Sequence, residues 1–342
     1  MSSLGLLHGK RILVTGGAGF IGSNLVRYLL ESRQEVRVSD NLSRGSLYNL
    51  KDVLDKVAFL NLDLTASNHC VESTKDIDCV FHLASPVGGV QFIRRQNVAN
   101  LTPALLMHAN LLEAARVNDV ERFLFASSAC VYYERDDRMN LFNEDEAYPA
   151  NPPTTYGWAK IAGEKLCQAY SNDYGIKTSA VRIFNAYGEN ENLDPRWSHV
   201  IPSLIRKAIL YPAEDFVVFG DGTQERAFLY VRDCVDGLAR IVEKVEDGSA
   251  INLGSREVIS IGDLAESILK VSGKKAQVKF DQSGPRGVSR YAANLDLLES
   301  RLEWVPQTKL GDGLVKTYDW AQRKLQSEKS APVELDAESL QL

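Results

Sequence analysis

The sequence predicts a doubly wound α/β fold, in which helices cover both faces of a parallel sheet, followed by a smaller mixed C-terminal lobe. In the first half, short apolar runs rich in β-branched residues alternate with longer amphipathic stretches. Such alternation is typical of repeated strand–helix–strand units. After Tyr187 this rhythm gives way to shorter elements mixed with polar loops. A glycine-rich turn also lies between the first apolar run and the first amphipathic stretch.

Each element of the predicted sheet follows from this alternation. The expected strands are Arg11–Thr15, Glu35–Ser39, Val57–Leu60, Cys79–Leu83, Arg122–Ala126 and Thr178–Phe184. The expected helices are Phe20–Glu31, Leu101–Val117, Thr155–Tyr174 and Val200–Ala208. We expect residues 1–187 to form mainly the sheet domain and residues 188–325 mainly the second lobe, with one or more segments returning to the sheet. The polar residues 326–342 are predicted to be a disordered tail.

Composition and charge exclude several classes of protein. The 342 residues carry a formal net charge of -6, whereas a nucleic-acid-binding protein normally presents a basic face. The five cysteines are scattered without CxxC spacing, which argues against a disulfide framework or a zinc ribbon, so no metal site is expected. We find neither a signal peptide nor an apolar run of ~18 residues. The sequence therefore predicts a soluble, cytoplasmic protein without a membrane partner.

The segment ILVTGGAGFIG predicts a dinucleotide site of the Rossmann type. Gly16 permits a tight turn, Gly19 lets the backbone approach a pyrophosphate, and Gly22 allows the helix to pack closely on the strand. The N-terminus of the helix then presents free N–H groups and a partial positive charge to the phosphates.

Two aspartates are expected beside the adenosine of the dinucleotide. Asp40 ends the second strand, where its carboxylate can accept hydrogen bonds from ribose hydroxyls and repel a 2′-phosphate. This favours NAD over NADP, although Arg44 keeps NADP possible. Asp63, in LNLDLT after the third strand, would lie near the adenine, but a turn-forming aspartate is nearly as good an interpretation.

The chemical centre is predicted at TYGWAK, where Tyr156 and Lys160 share one face of a helix. A free tyrosine has a pKa near ~10, so it needs nearby positive charge to act as a base at neutral pH. The Lys160 ammonium and a nicotinamide cation would supply that charge. Ser127 and Ser128 end a strand upstream, at the edge of the sheet where open α/β folds bind ligands.

These motifs together resemble the extended short-chain dehydrogenase/reductase family of nucleotide-sugar epimerases and dehydratases. The resemblance covers about residues 9–325 and includes TGGAGFIG, HLAS, SSACVY, YGWAK, RIFNAYG and QERAFLYVRD. It implies that Ser128, Tyr156 and Lys160 form a catalytic triad that oxidises the sugar at C4 with a tightly bound, recycled NAD. It also implies further NAD contacts from Phe20, Ile21, Asn41, Leu64, Leu83 and Ala84.

The reaction that follows the oxidation depends on Cys130. Family dehydratases have an acidic residue at this position, and simple 4-epimerases often have threonine or alanine. A thiol with a pKa near ~8.5 is a plausible acid/base group, although a small buried strand-end residue is an equally good interpretation.

The surrounding segments SPVGGVQFI and ASSACVY resemble those of GDP-mannose 3,5-epimerases, in which this cysteine is one of two acid/base groups. The second group there is a lysine, and the matching residue here is His199, a substitution that puts its catalytic role in question. The resemblance implies sugar-nucleotide contacts from Gly88, Gly89, Ser128, Asn185, His199, Lys207, Arg226 and Arg290.

The leading hypothesis is therefore an NAD-dependent GDP-hexose epimerase that inverts C3, C5 or both. The nearest alternative is a UDP- or GDP-sugar 4-epimerase in which Cys130 is inert. A UDP-glucuronate decarboxylase or a non-catalytic NAD-sensing scaffold fits the residues less well. The resemblance also implies a homodimer formed through the helices at Leu101–Val117 and Thr155–Tyr174.

Overall fold

A seven-stranded parallel sheet forms the centre of the computed structural model, in which residues 5–86, 97–133, 141–283 and 288–330 are described. The strands lie in the order β11-β6-β5-β4-β1-β2-β3. They comprise β1 Arg11–Thr15, β2 Glu35–Ser39, β3 Ala58–Leu60, β4 Cys79–His82, β5 Arg122–Ser128, β6 Lys177–Ile183 and, far along the chain, β11 Asp247–Leu253. Most residues of β1, β4, β5 and β6 are buried because helices cover both faces of the sheet. The doubly wound prediction is confirmed.

Among the described residues, three helices pack on one face of the sheet and two on the other. The first set comprises α2 Ser67–Thr74, α3 Asn97–Val117 and α4 Thr155–Tyr174. The second set comprises α1 Phe20–Glu31 and α6 Val231–Lys244. Each set buries its apolar face against the strands in a separate hydrophobic core. No helix of the described residues combines the length and apolar character that a membrane crossing requires.

The second lobe has a hydrophobic core of its own, around Ile201, Leu204 and Leu264. Its helices are α5 Val200–Leu210, α7 Ile261–Ser272 and α9 Leu310–Ser330, and α8 Asp296–Leu302 lies beside β11. Its short strands pair as β7 Ala186–Tyr187 with β10 Leu229–Tyr230, β8 Val217–Phe219 with β13 Lys279–Asp281, and β9 Glu225–Ala227 with both β12 Val258–Ser260 and β14 Arg290–Tyr291.

Several boundaries differ from the sequence-based expectation. Helix α3 begins at Asn97, four residues before the predicted start, and accommodates Pro103 in its interior. Helix α9 continues to Ser330, so residues 326–330 of the predicted tail are helical, while 331–342 lie outside the described residues. The expected elements did not include α6 or β11, although β11 is an edge strand of the main sheet.

Candidate active site

A cavity of about 1580 Å³ lies between the carboxyl ends of the sheet strands and the second lobe. The ends of β1, β4, β5 and β6 lead into its wall because all these strands are parallel. Its volume exceeds the ~300–1,000 Å³ that is usual for a single small-molecule site. The cavity therefore has room for a dinucleotide and a second nucleotide together.

The glycine-rich turn after β1 forms one end of this cavity. Gly16 has a φ of +67°, and a Cβ added there would lie 2.9 Å from the Ala84 backbone. A Cβ at Gly22 would lie 2.1 Å from the Gly16 carbonyl oxygen. Helix α1 begins after Gly19 without a side-chain cap, so its first N–H groups can bind an anionic ligand. The turn fits a dinucleotide pyrophosphate.

Asp40 lies beside the glycine turn and is 8% exposed. Its carboxylate accepts hydrogen bonds from the backbone N–H groups of Ala18, at 3.0 Å, and Leu42, at 2.8 Å. Burial raises the pKa of Asp40, and these hydrogen bonds oppose the rise. Asp63 also lines the cavity, where its Oδ1 accepts hydrogen bonds from the N–H and hydroxyl of Thr65. Asp63 thus forms a turn and also borders the cavity.

Tyr156 and Lys160 lie together in the middle of the cavity wall, both on α4. The Lys160 Nζ is 5.4 Å from the centre of the Tyr156 ring and donates a 2.7 Å hydrogen bond to the Ala126 carbonyl. Burial lowers the pKa of Lys160 to about 8. Burial also raises the pKa of Tyr156, and hydrogen bonding to Ser128 opposes this rise. Desolvation therefore outweighs hydrogen bonding, and the pKa of Tyr156 is raised above its ordinary value.

Backbone packing positions the triad and Cys130 on adjoining elements. Ser128 ends β5, and its Oγ accepts a 3.2 Å hydrogen bond from the Cys130 N–H. The Thr154 side chain caps α4 by accepting from the Gly157 N–H. A Cβ at Gly157 would lie 2.3 Å from the Cys130 carbonyl oxygen, so only glycine lets α4 begin this close to the cysteine. Cys130 is partly exposed and lines the cavity.

A buried ion pair joins the helix that carries Tyr156 and Lys160 to the central sheet. The Glu164 and Arg182 side chains are each 1% exposed, and their bidentate contact has distances of 2.9 Å and 2.8 Å. The Ser127 hydroxyl donates to Glu164 at 2.5 Å, and Arg182 donates to the Tyr132 hydroxyl at 3.0 Å. These bonds tie α4 to β5 and β6 one helical turn after Lys160.

His199 reaches the cavity from the second lobe. It precedes α5 and does not cap that helix with its side chain. Instead its Nδ1 is 2.7 Å from an oxygen of Glu191, whose side chain is 3% exposed. The His199 side chain is itself 54% exposed, and it lines the cavity. Sequence reasoning missed Glu191, and the acidic residues of GENENLD were the only available signal for it.

The predicted substrate residues divide into three groups. Asn185, Lys207 and Arg226 line the cavity, and Lys207 donates to the Val217 carbonyl at 2.6 Å. Arg290 is absent from the cavity wall; its Nε is 3.9 Å from a Glu225 oxygen, at the edge of β9. The predicted contacts Gly88 and Gly89 lie outside the described residues.

Comparison with known proteins identifies the family. Residues 12–254 match the model of the NAD dependent epimerase/dehydratase family. The chain belongs to this family. It is therefore an NAD-dependent enzyme of the nucleotide-sugar epimerase/dehydratase type, as its motifs predicted.

Relatives within the family differ in the reaction that their names state. The chain is 33% identical over 327 residues to GDP-mannose 3,5-epimerase 1 of Oryza sativa subsp. indica, covering 95% of this chain and 85% of that one. It is 34% identical to GDP-L-fucose synthase of Sinorhizobium fredii, covering 92% of this chain and 96% of that one. The crystal structure of UDP-glucose 4-epimerase with UDP-glucose from Thermotoga maritima superimposes with a TM-score of 0.84 at 25% identity, covering 92% and 99% of the two chains.

The residues that the sequence predicts to contact NAD lie along one cavity. All of the predicted cofactor contacts line the cavity, including Phe20, Ile21, Asn41, Leu64, Leu83 and Ala84. Arg44 and Trp197 lie on the wall as well, with the guanidinium 3.8 Å from the centre of the indole ring. Sequence reasoning did not identify this stack because it joins the two lobes. Within the described part of the chain, no cluster of His, Cys, Asp or Glu side chains is placed to hold a metal ion.

Proposed function

We propose that the enzyme is a GDP-hexose epimerase that inverts C3, C5 or both after a transient oxidation at C4. The observation that carries this proposal is that Cys130 and His199 line the same cavity as Tyr156 and Lys160. A simple 4-epimerase needs only the last two. The 33% identity to a GDP-mannose 3,5-epimerase over 95% of the chain supports guanosine diphosphate sugars as the substrate class.

The first step in this proposal is oxidation at C4. Bound NAD supplies a reversible hydride acceptor for the hydrogen on C4. Tyr156, as phenolate, takes the proton of the C4 hydroxyl, so that C4 becomes a ketone. Because burial raises the pKa of Tyr156, the phenolate depends on nearby positive charge, which the Lys160 ammonium supplies.

Inversion then takes place next to the ketone. The ketone acidifies the C–H bonds at C3 and C5, and Cys130, as thiolate, removes one of these protons to give an enolate. His199, as imidazolium, returns a proton to the same carbon from the opposite face, which inverts it. Tyr156 finally returns its proton to the C4 oxygen as the C4–H bond is formed again, which completes the cycle. Exchange of the Cys130 and His199 protons with water restores both groups.

Lys207 and Arg226 are proposed to bind the diphosphate and sugar hydroxyls. Both lie on the wall of the cavity in the second lobe. Burial lowers the pKa of each side chain, which indicates cations held partly away from water. An anionic diphosphate would compensate this loss of hydration.

The test is incubation of the NAD-loaded protein with GDP-mannose in deuterated water. We expect deuterium at C3, C5 or both, because the two acid/base groups exchange with solvent. Absence of deuterium at both carbons would refute the proposal for this sugar. Tyr156→Phe should abolish incorporation while retaining the fold, and Tyr170→Phe on the same helix is the matched control.

A UDP- or GDP-sugar 4-epimerase is the second candidate. The overall likeness to UDP-glucose 4-epimerase, with a TM-score of 0.84, favours it. In this reaction the sugar ketone is reduced again on its other face and no C–H proton is exchanged. It predicts a 4-epimer without solvent deuterium and little effect of Cys130→Ala.

We also propose that the enzyme is a homodimer formed through α3 and α4. These helices pack side by side and expose large apolar side chains. The exposed residues are Val98, Leu106 and Val117 on α3 and Trp158 and Tyr174 on α4. Pairing with a second copy would remove this apolar surface from water. Light scattering should give twice the chain mass, and Leu106→Glu should reduce it; a monomeric wild-type protein would refute the proposal.

A further inference from the structure

His199 and Glu191 form a carboxylate–imidazole pair at the lobe side of the cavity. The Nδ1 atom of His199 is 2.7 Å from Oε1 of Glu191. With Nδ1 engaged in this way, the other ring nitrogen, Nε2, is the one left to meet a ligand. The bond therefore fixes the orientation of the ring.

The environment of Glu191 favours its pairing with a charged imidazole. Its side chain is 3% exposed, and in the described part of the chain Oε2 is buried without a hydrogen-bond partner. A buried carboxylate is costly unless a cation compensates it. A protonated His199 is placed to provide that compensation.

The pKa shift of His199 also favours a charged imidazole beside Glu191. Burial lowers the pKa of His199, but the hydrogen bond and the charge of Glu191 outweigh it, so that the net pKa is raised. Burial raises the pKa of Glu191, and His199 together with the backbone N–H of Gly188 opposes that rise. The exposed part of the imidazole lines the cavity, where surrounding protein reduces its hydration.

Other charged groups around His199 are engaged elsewhere. On the same loop, Glu189 accepts from the Tyr230 hydroxyl at 2.9 Å, and Asp194 pairs with Arg196. On α5, Lys207 donates to the Val217 carbonyl. The remaining titratable or charged side chains of the cavity wall are Asp40, Arg44, Asp63, Cys130, Tyr132, Tyr156, Lys160, Tyr187, Arg226, Tyr291 and Lys324. Glu191 is the one carboxylate of the described residues that raises the pKa of His199.

We propose that Glu191 is a positioning residue that keeps His199 protonated, so that the histidine can replace the lysine of related 3,5-epimerases as the proton donor. A lysine ammonium is charged at neutral pH without help, whereas an isolated imidazole with a pKa near ~6.5 is mostly neutral. A buried carboxylate that is hydrogen-bonded to Nδ1 favours the protonated imidazole, so that His199 can carry the positive charge that the lysine carries. The catalytic part of this inference rests on the proposed function, while the charge coupling does not.

The direct test is an NMR titration of His199 in the full-length protein. We expect a pKa above the ordinary ~6.5 in the wild type and a decrease of about one pH unit or more in Glu191→Gln, which preserves size but removes charge. Glu189→Gln, on the same loop, should leave the His199 pKa unchanged. An equal pKa in the wild type and Glu191→Gln would overturn the proposal.

The kinetic test is the pH dependence of deuterium incorporation into GDP-mannose. Glu191→Gln should lose about tenfold more activity near pH 8 than near pH 6, because His199 would lose its proton at lower pH. A merely structural Glu191 would give the same loss at both pH values, which would refute the role.

Lysine substitution separates charge from folding. If Glu191 acts by charging His199, then the change of Glu191 to Gln should cost little activity in a His199→Lys background. An equally large loss in that background would contradict the role. If the wild type incorporates no deuterium, the proposed function fails for this sugar, while the titration still decides the coupling.

Discussion

Replacing Lys160 by methionine should abolish turnover and stabilise the nucleotide-free fold at neutral pH. Lys160 is 3% exposed, and burial lowers its pKa from 10.5 to about 8. At about 1.4 kcal/mol for each tenfold change in proton affinity, the buried ammonium costs about 3 kcal/mol of folding free energy at neutral pH. The variant also loses the hydrogen bond to the Ala126 carbonyl, which lowers its stability by about 1 kcal/mol. The expected net gain is about 2 kcal/mol.

The pH dependence of this gain identifies its cause. Because the folded pKa lies below the unfolded one, the cost is fully present below about pH 8 and disappears as the pH rises through about 10.5. Urea unfolding of the two proteins should therefore differ by about 2 kcal/mol at about pH 7 and by less than ~0.5 kcal/mol at about pH 10.

Lys165 provides the matched control on the same helix. It is exposed and donates a 3.0 Å hydrogen bond to Gln168. Lys165→Met should change stability by no more than ~0.5 kcal/mol at either pH. A Lys160→Met protein that is less stable than the wild type at pH 7 would refute the reasoning, because the ammonium would then stabilise the fold.

Three other changes test the cofactor site and its support. Asp40→Asn should weaken NAD binding by about tenfold relative to NADP, because the carboxylate that repels a 2′-phosphate loses its charge; unchanged selectivity in fluorescence titrations would contradict this. Gly22→Ala should abolish NAD binding because its Cβ would lie 2.1 Å from a carbonyl oxygen of the same turn, and retained affinity in calorimetry would be the opposing result. Glu164→Gln should lower the free energy of unfolding by about 3–5 kcal/mol because it leaves the Arg182 charge buried and uncompensated, whereas Glu113→Gln, in an exposed pair, should cost less than ~1 kcal/mol in the same denaturation assay.

The geometry of the glycine turn and of the Tyr156–Lys160 pair was predictable because its signals are local. Gly16, Gly19 and Gly22 lie within one turn between a strand and a helix, and their backbone geometry depends on that short segment. Tyr156 and Lys160 are one helical turn apart, so their spacing alone brings them to one face. The ends of parallel strands then bring these groups to the same edge of the sheet.

The rest of the site depends on contacts between distant segments. Glu191 is eight residues from His199 across an irregular loop, so no periodic pattern indicates their pairing. Arg182 and Glu164 both lie in buried elements, where their charges are tolerated only because they meet. Strand β11 follows part of the second lobe along the chain and pairs with β6. Local sequence patterns do not show that it joins the main sheet.

Comparing deuterium incorporation by the wild type and Cys130→Ala most directly tests the proposed epimerisation at C3 or C5. Each NAD-loaded protein would be incubated with GDP-mannose in deuterated water, and the label would be located on the sugar by NMR. We predict label at C3, C5 or both with the wild type, and at least a ~10²-fold slower incorporation with Cys130→Ala, because that variant lacks the proton acceptor. Equal incorporation by the two proteins, or a 4-epimer free of deuterium, would contradict the account.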